Sequence, residues 1–163
     1  MSREIRNVAK NWQHPKNEYS GEYIPLFDEY YGDAIEEWIE NHKLWQEGKH
    51  PDQEAGRTCA DYKFYSEWNG MPSVECYRMV KWTEEEACCF QVYETVSEGT
   101  PQSPIFETLA ALENWLVETA GHSRTAAQRF CEEKWAPSMI MYNGVMESNI
   151  DSLDLLPEKS EGE

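Results

Sequence analysis

The residues best placed for acid–base chemistry in this chain are Glu94 and Glu98, which bracket Thr95, Val96 and Ser97 and precede Gly99, Thr100, Pro101, Ser103 and Pro104. In an extended run Glu94 shares a side with Phe90, Val92 and Val96. A carboxylate among apolar groups either collects hydrogen-bond donors or holds its proton, as a general acid does. Ser97, Thr100 and Ser103 are the nearby donors. The bland alternative is that Glu94 accepts from backbone N–H groups of the Gly99–Pro101 loop and pins it. No His or Cys lies within the loop to complete a nucleophile–base pair, and without one no catalytic residue is assigned. The chain is expected not to be an enzyme; a small enzyme or ligand-binding domain built on Glu94, Ser97, Glu98 and Thr100 is the alternative.

Metal chemistry has less to build on. Cys59, Cys76, Cys88, Cys89, Cys131, His42 and His50 are suitable ligand types, but the one close pair is Cys88-Cys89, which a strand would direct to opposite faces. No Cys-x-x-Cys or His-x-x-x-His occurs. Neither a metal nor a cofactor is expected, and the cysteines read as reduced, mostly buried thiols.

Charge is the remaining chemistry. With 31 acids against 14 bases the formal charge is −17, which repels nucleic acid and anionic membranes. There is no run of 18 apolar residues, and the first thirty residues lack the pattern of a secretory signal. A cytoplasmic location is expected. Between Glu18 and Glu54 eleven acids stand against two bases. Carboxylates four apart on a helix, such as Glu36 and Glu40, repel by about a few tenths of a kcal/mol, so the fold gains nothing from them. Rows of carboxylates on a rigid helix can imitate DNA phosphates and occupy the basic groove of a nucleic-acid-handling protein; simple solvation of the surface is the competing explanation. The expected partner-binding residues are Asp28, Glu29, Tyr30, Tyr31, Asp33, Glu36, Glu37, Glu40 and Glu47, with the two tyrosines as aromatic anchors. The seven tryptophans are expected mainly in the core.

These residues need elements to hold them. A helix is predicted from about Asp33 to Glu47, capped by Asp33 with Glu36 and ended by Gly48. Alternation predicts strands over 61–68 and 74–82 around Asn69–Pro72, then a turn capped by Thr83, then a strand from Cys89, three antiparallel strands in succession. Thr108 caps a helix with the stripe Leu109, Leu112, Trp115 and Leu116. Ser123 caps another with Ala127, Phe130, Cys131 and Trp135, stopped by Pro137. Asn143-Gly144 marks a hairpin between Met139–Tyr142 and Val145–Ile150. The predicted fold is α+β: a mainly antiparallel sheet with three helices packed on it and a C-terminal β-hairpin. Residues 1–16 are expected to form an arm, 17–150 a single domain and 151–163 a disordered acidic tail.

The run Tyr93–Pro101, followed by Ser103, Pro104 and Thr108, resembles a segment of a group of small proteins encoded by bacteriophages and prophages. Trp135-Ala136-Pro137-Ser138, and the long helix followed by Gly48-Lys49-His50-Pro51-Asp52, are similar in spacing. The likeness touches much of residues 20–150. It implies a viral or prophage origin and action in the cytoplasm of a bacterial host, and it carries over no catalytic role. The expected function is therefore that of a phage-type acidic protein that binds and inhibits a host protein with a basic surface, nucleic-acid-handling or defensive, by DNA mimicry. An accessory module that assembles with its own phage's proteins is the further alternative.

Overall fold

The computed structural model describes residues 1–56, 61–95 and 99–158. In chain order its elements are β1 (Arg3–Val8), α1 (Tyr31–Gln46), α2 (Pro51–Glu54), α3 (Tyr65–Trp68), β2 (Cys89–Glu94), α4 (Leu109–Glu118), α5 (Arg124–Glu133), β3 (Trp135–Ala136), β4 (Met139–Tyr142) and β5 (Val145–Ser148), with 3-10 turns at Val74–Cys76 and Asn149–Leu155. The fold is α+β with antiparallel pairing throughout the two sheets. The expected single domain is divided: Met1–Pro25 with Trp82–Glu163 makes one compact unit and Leu26–Lys81 another.

In the first unit the expected N-terminal arm is instead the middle strand of a sheet ordered β2-β1-β3. Both of its basic residues find a partner in the sheet. Arg3 pairs with Glu94 at 2.7 Å and Arg6 with Glu4 at 2.6 Å, while the Arg6 guanidinium lies 4.3 Å from the Tyr93 ring centroid. The register sets Ile5 opposite Val92 and Val8 opposite Cys89, so the two-residue period buries both faces. One face packs Ile5 and Val92 against Leu112 and Leu116 of α4 and Phe130 of α5. The other gathers Val8, Cys89 and Tyr93 with Trp12, Trp82 and Ile105.

The caps of both helices form as their sequences require. Thr108 Oγ1 accepts from Ala111 N at 3.1 Å and Ser123 Oγ from Ala126 N at 3.0 Å. α5 ends earlier than expected, because Lys134 takes a left-handed φ of 57°, and Trp135 passes from the predicted helical stripe into β3. The β4–β5 hairpin has Asn143 and Gly144 at φ 51° and 79°, the geometry a two-residue turn of this type demands. The expected tail is ordered over its first part, where Leu153 enters the helical core and Arg129 donates to the Leu153 and Leu156 carbonyls. Residues 159–163 lie outside the described residues.

In the second unit the predicted hairpin over 61–82 is replaced by α3 and a 3-10 turn. The cause is local: Glu67 Oε2 accepts from both Lys63 N and Phe64 N at 3.1 Å, which winds the chain up before a ladder can form. Trp45 and Tyr65 are buried together, with Trp38 and Trp68 packed on them. α1 begins two residues before the predicted start with no side-chain cap, because Asp33 spends its Oδ1 on Lys81 Nζ at 2.9 Å. Of its apolar side chains, Ala34 and Trp45 are buried, whereas Ile39 is 42% exposed. Of the three expected helices, α4 and α5 pack on the β2-β1-β3 sheet and α1 belongs to this second unit.

Candidate functional site

The central loop follows β2 as an irregular companion strand. Gln102 N donates to Val92 O at 2.7 Å, Glu94 N to Thr100 O at 2.9 Å, and Phe90 and Phe106 exchange backbone hydrogen bonds of 2.7 and 2.8 Å. Ser103 Oγ accepts from Val92 N and donates to Pro104 O. Among the described residues the Glu94 carboxylate accepts from the Arg3 guanidinium at 2.7 Å, a charge-assisted bond across the β1–β2 pair. Ser97 and Glu98 lie outside the described residues, so of this candidate group Glu94 and Thr100 are brought together through the backbone alone.

The sheet face opposite α4 and α5 holds a group that the sequence did not single out. Trp12 Nε1 donates to the Tyr93 hydroxyl at 3.0 Å, which in turn stands 3.1 Å from His14 Nδ1. His14 Nε2 is 2.6 Å from the Ile24 carbonyl. A carbonyl only accepts, so Nε2 carries the proton, and in the neutral imidazole Nδ1 then accepts from Tyr93 O–H. The chain of donors runs Trp12 to Tyr93 to His14 to Ile24, with every group satisfied. Burial holds the His14 pKa below the ordinary value of 6.5; the Ile24 carbonyl partly opposes this and the Arg6 charge adds to it. His14 is 79 residues from Tyr93 in sequence, so scanning the loop for a partner base could not have found it; only the β1–β2 pairing brings them together.

A pH dependence follows. Because the folded pKa is depressed, the unfolded chain takes up the His14 proton first, so this contribution to stability is full above about pH 6.5 and is lost as pH falls toward the folded value. Urea midpoints between pH 8 and 5 are expected to decline below about 6.5, with a slope from this one group of at most about 1.4 kcal/mol per pH unit. His14→Gln should remove that part of the slope; an unchanged slope in the variant would assign it elsewhere.

Three of the acids expected to meet a partner are paired with bases of this chain instead. Asp28 pairs with Arg78 at 3.3 Å, Asp33 with Lys81 at 2.9 Å and Glu47 with Lys49 at 3.4 Å. Glu36, Glu37 and Glu40 are exposed on α1 and make no ion pair among the described residues. Glu29 is half-buried, and its pKa is raised, chiefly by burial and then by the charges of Glu37 and Asp33. Tyr30 and Tyr31 are half-buried rather than projecting anchors: a Cβ on Gly32 would collide with the Tyr30 ring, and the Tyr31 ring meets Tyr77 at 6.2 Å. Beside α1 is a hollow of about 170 Å³ lined by Glu29, Glu37, Trp38, Tyr65 and Tyr77 among others.

Two of the thiols are disfavoured as thiolates by burial, and Cys59 lies outside the described residues. Burial, with help from Glu113 and Glu132, pushes Cys131 up to about 11, and burial with the neighbouring Cys88 raises Cys89. Cys88 itself is exposed, not buried as expected, and its Sγ lies 3.9 Å from that of Cys89 instead of on the opposite face. Among the described residues no group of three His, Cys, Asp or Glu side chains is arranged to hold a metal ion, and no helix is long and apolar enough to cross a membrane. No family model, curated protein or solved structure matches the chain.

Proposed function

We propose that this is a phage-type interaction protein that sets the acidic side of α1 against the basic surface of a bacterial host protein and blocks it, binding its target without turning anything over. The observation that carries this reading is the hollow beside α1, where the carboxylates of Glu29 and Glu37 meet the aromatic side chains of Trp38, Tyr65 and Tyr77. Negative charge combined with aromatic faces is what receives an arginine or lysine side chain, and a volume of about 170 Å³ suits one such chain. Glu36 and Glu40 are exposed on the same helix, where Ile39 at 42% and Leu44 at 36% exposure add apolar area.

Three carboxylates within about 6 Å of helix axis approach the density of a DNA strand, about one charge per 3.4 Å. A host protein that handles nucleic acid, in a defence complex or elsewhere, is therefore the partner whose surface suits this face. The site of action in the bacterial cytoplasm rests on the phage resemblance.

The test uses the full chain immobilised against the DNA-binding fraction of a bacterial lysate. Capture is expected at about 0.1 M salt and to fade by about 0.5 M as the charges are screened. The triple variant Glu36→Gln, Glu37→Gln, Glu40→Gln should retain at most about a tenth of it. If the triple variant captures the same proteins at the same salt, the carboxylates merely solvate the surface.

A further inference from the structure

The face of β2 that carries Gln91 and Tyr93 opens on a cleft of about 1050 Å³ within the first unit. Its walls are flat and fixed. Trp12 and Tyr23 stand edge-on to His14, with ring centroids 6.0 and 5.5 Å away, and His14 is tied at both ring nitrogens. Its charge runs against that of the chain. Among the described residues lining it Lys16 is the one charged side chain and there is no carboxylate, in a sequence with 31 acids and 14 bases. The Lys16 ammonium lies 4.7 Å from the Tyr23 ring centroid and has no carboxylate partner among the described residues.

Gln91 supplies the third feature. It is only 7% exposed, its Nε2 donates to Ser103 O at 2.9 Å, and its Oε1 has no hydrogen-bond partner among the described residues. A buried acceptor without a donor is costly to the free protein, and a ligand N–H that reaches it makes a bond the protein alone lacks. The exposed amides of Gln13 and Gln102 stand on the same lining.

We propose that this cleft binds a planar heteroaromatic ligand with ring N–H donors and one anionic group, the chemistry of a mononucleotide. The base lies against Trp12 and Tyr23, an N–H engages Gln91, and the phosphate meets Lys16. Stacking on an aromatic side chain is a strong source of affinity for any base. The overall negative charge that repels a nucleic-acid polymer acts less on a single phosphate, because fields from acids more than about 8 Å away are largely screened at physiological salt. The site shares no residue with the α1 face, so each proposal can fail without the other.

The test is calorimetric titration of the full chain with AMP, GMP, CMP and UMP, with the four nucleosides, with inorganic phosphate and with a proline-rich peptide. At least one mononucleotide is expected to bind with a Kd below about 1 mM. Its nucleoside should bind at least about fivefold more weakly, and Lys16→Ala should bring the nucleotide down to the nucleoside's level. Lys16 is exposed, so that variant keeps the fold. Gln91→Met, close in volume, should weaken nucleotide and nucleoside alike. Silence of all four mononucleotides up to about 5 mM, phosphate alone binding as tightly as a nucleotide, an unchanged Lys16→Ala, or binding of the peptide and no nucleotide would each overturn the proposal.

Discussion

Phe130→Ala is expected to lower the unfolding free energy by about 3–5 kcal/mol, enough to consume much of the stability of an ordinary domain, about 5–15 kcal/mol. Phe130 is 0% exposed and sits in α5 where Ile5, Val92, Leu112, Leu116 and Leu153 converge. Close packing on every side leaves little room for the cavity to collapse, so the transfer and cavity contributions add. In urea, with a slope of about 2 kcal/mol per M, the midpoint should fall by about 2 M. Phe130→Leu keeps most of the volume and should cost less than about 1.5 kcal/mol. A midpoint shift below about 0.5 M for the alanine variant would mean that α5 is not seated on the sheet as described.

The elements around Phe130 were legible because their signals are local. Thr108 and Ser123 lie next to the helices they cap, and Asn143-Gly144 fixes its own turn. β1 was not legible, because its partners stand far along the chain: Arg3 pairs with Glu94 across 91 residues, and without that pairing four basic residues near the N-terminus read as a solvated arm. The false hairpin over 61–82 has the opposite cause. Its alternation of Tyr62, Phe64 and Trp68 is real, but the single carboxylate of Glu67 outweighs it by closing a turn on the backbone of Lys63 and Phe64. The same division runs through the sites. That Glu36, Glu37 and Glu40 face solvent follows from helical period, whereas the neutralisation of Asp28 and Asp33 by Arg78 and Lys81, 50 and 48 residues on, needs the fold. The cleft beside Gln91 depends on the same long-range pairing that hid β1.

Trp45→Ala is expected to cost a similar about 3–5 kcal/mol but to open a different part of the molecule. Among its described residues the unit Leu26–Lys81 contains no sheet of its own. Trp45, 4% exposed, and Tyr65, 3% exposed, are the two buried members of its aromatic cluster. The Trp45 ring stacks on Trp68 at 6.0 Å and meets Tyr65 at 5.7 Å and His50 at 5.6 Å. A small hydrophobic core has little stability in reserve, so truncating its central side chain should release α1 locally. Amide hydrogen exchange across residues 31–46 is expected to rise to near the unprotected rate in the variant, while α4 and α5 keep their protection. Trp45→Phe, which retains a ring, should lie between. Wild-type protection of α1 in Trp45→Ala would sink the claim that this cluster holds the unit together. The functional consequence is a second route to the same loss as the triple glutamine variant: with all its carboxylates intact, Trp45→Ala should still fail to capture the basic partner, because Glu29 and Glu37 enclose a hollow only while Trp38 and Tyr65 are held in place behind them.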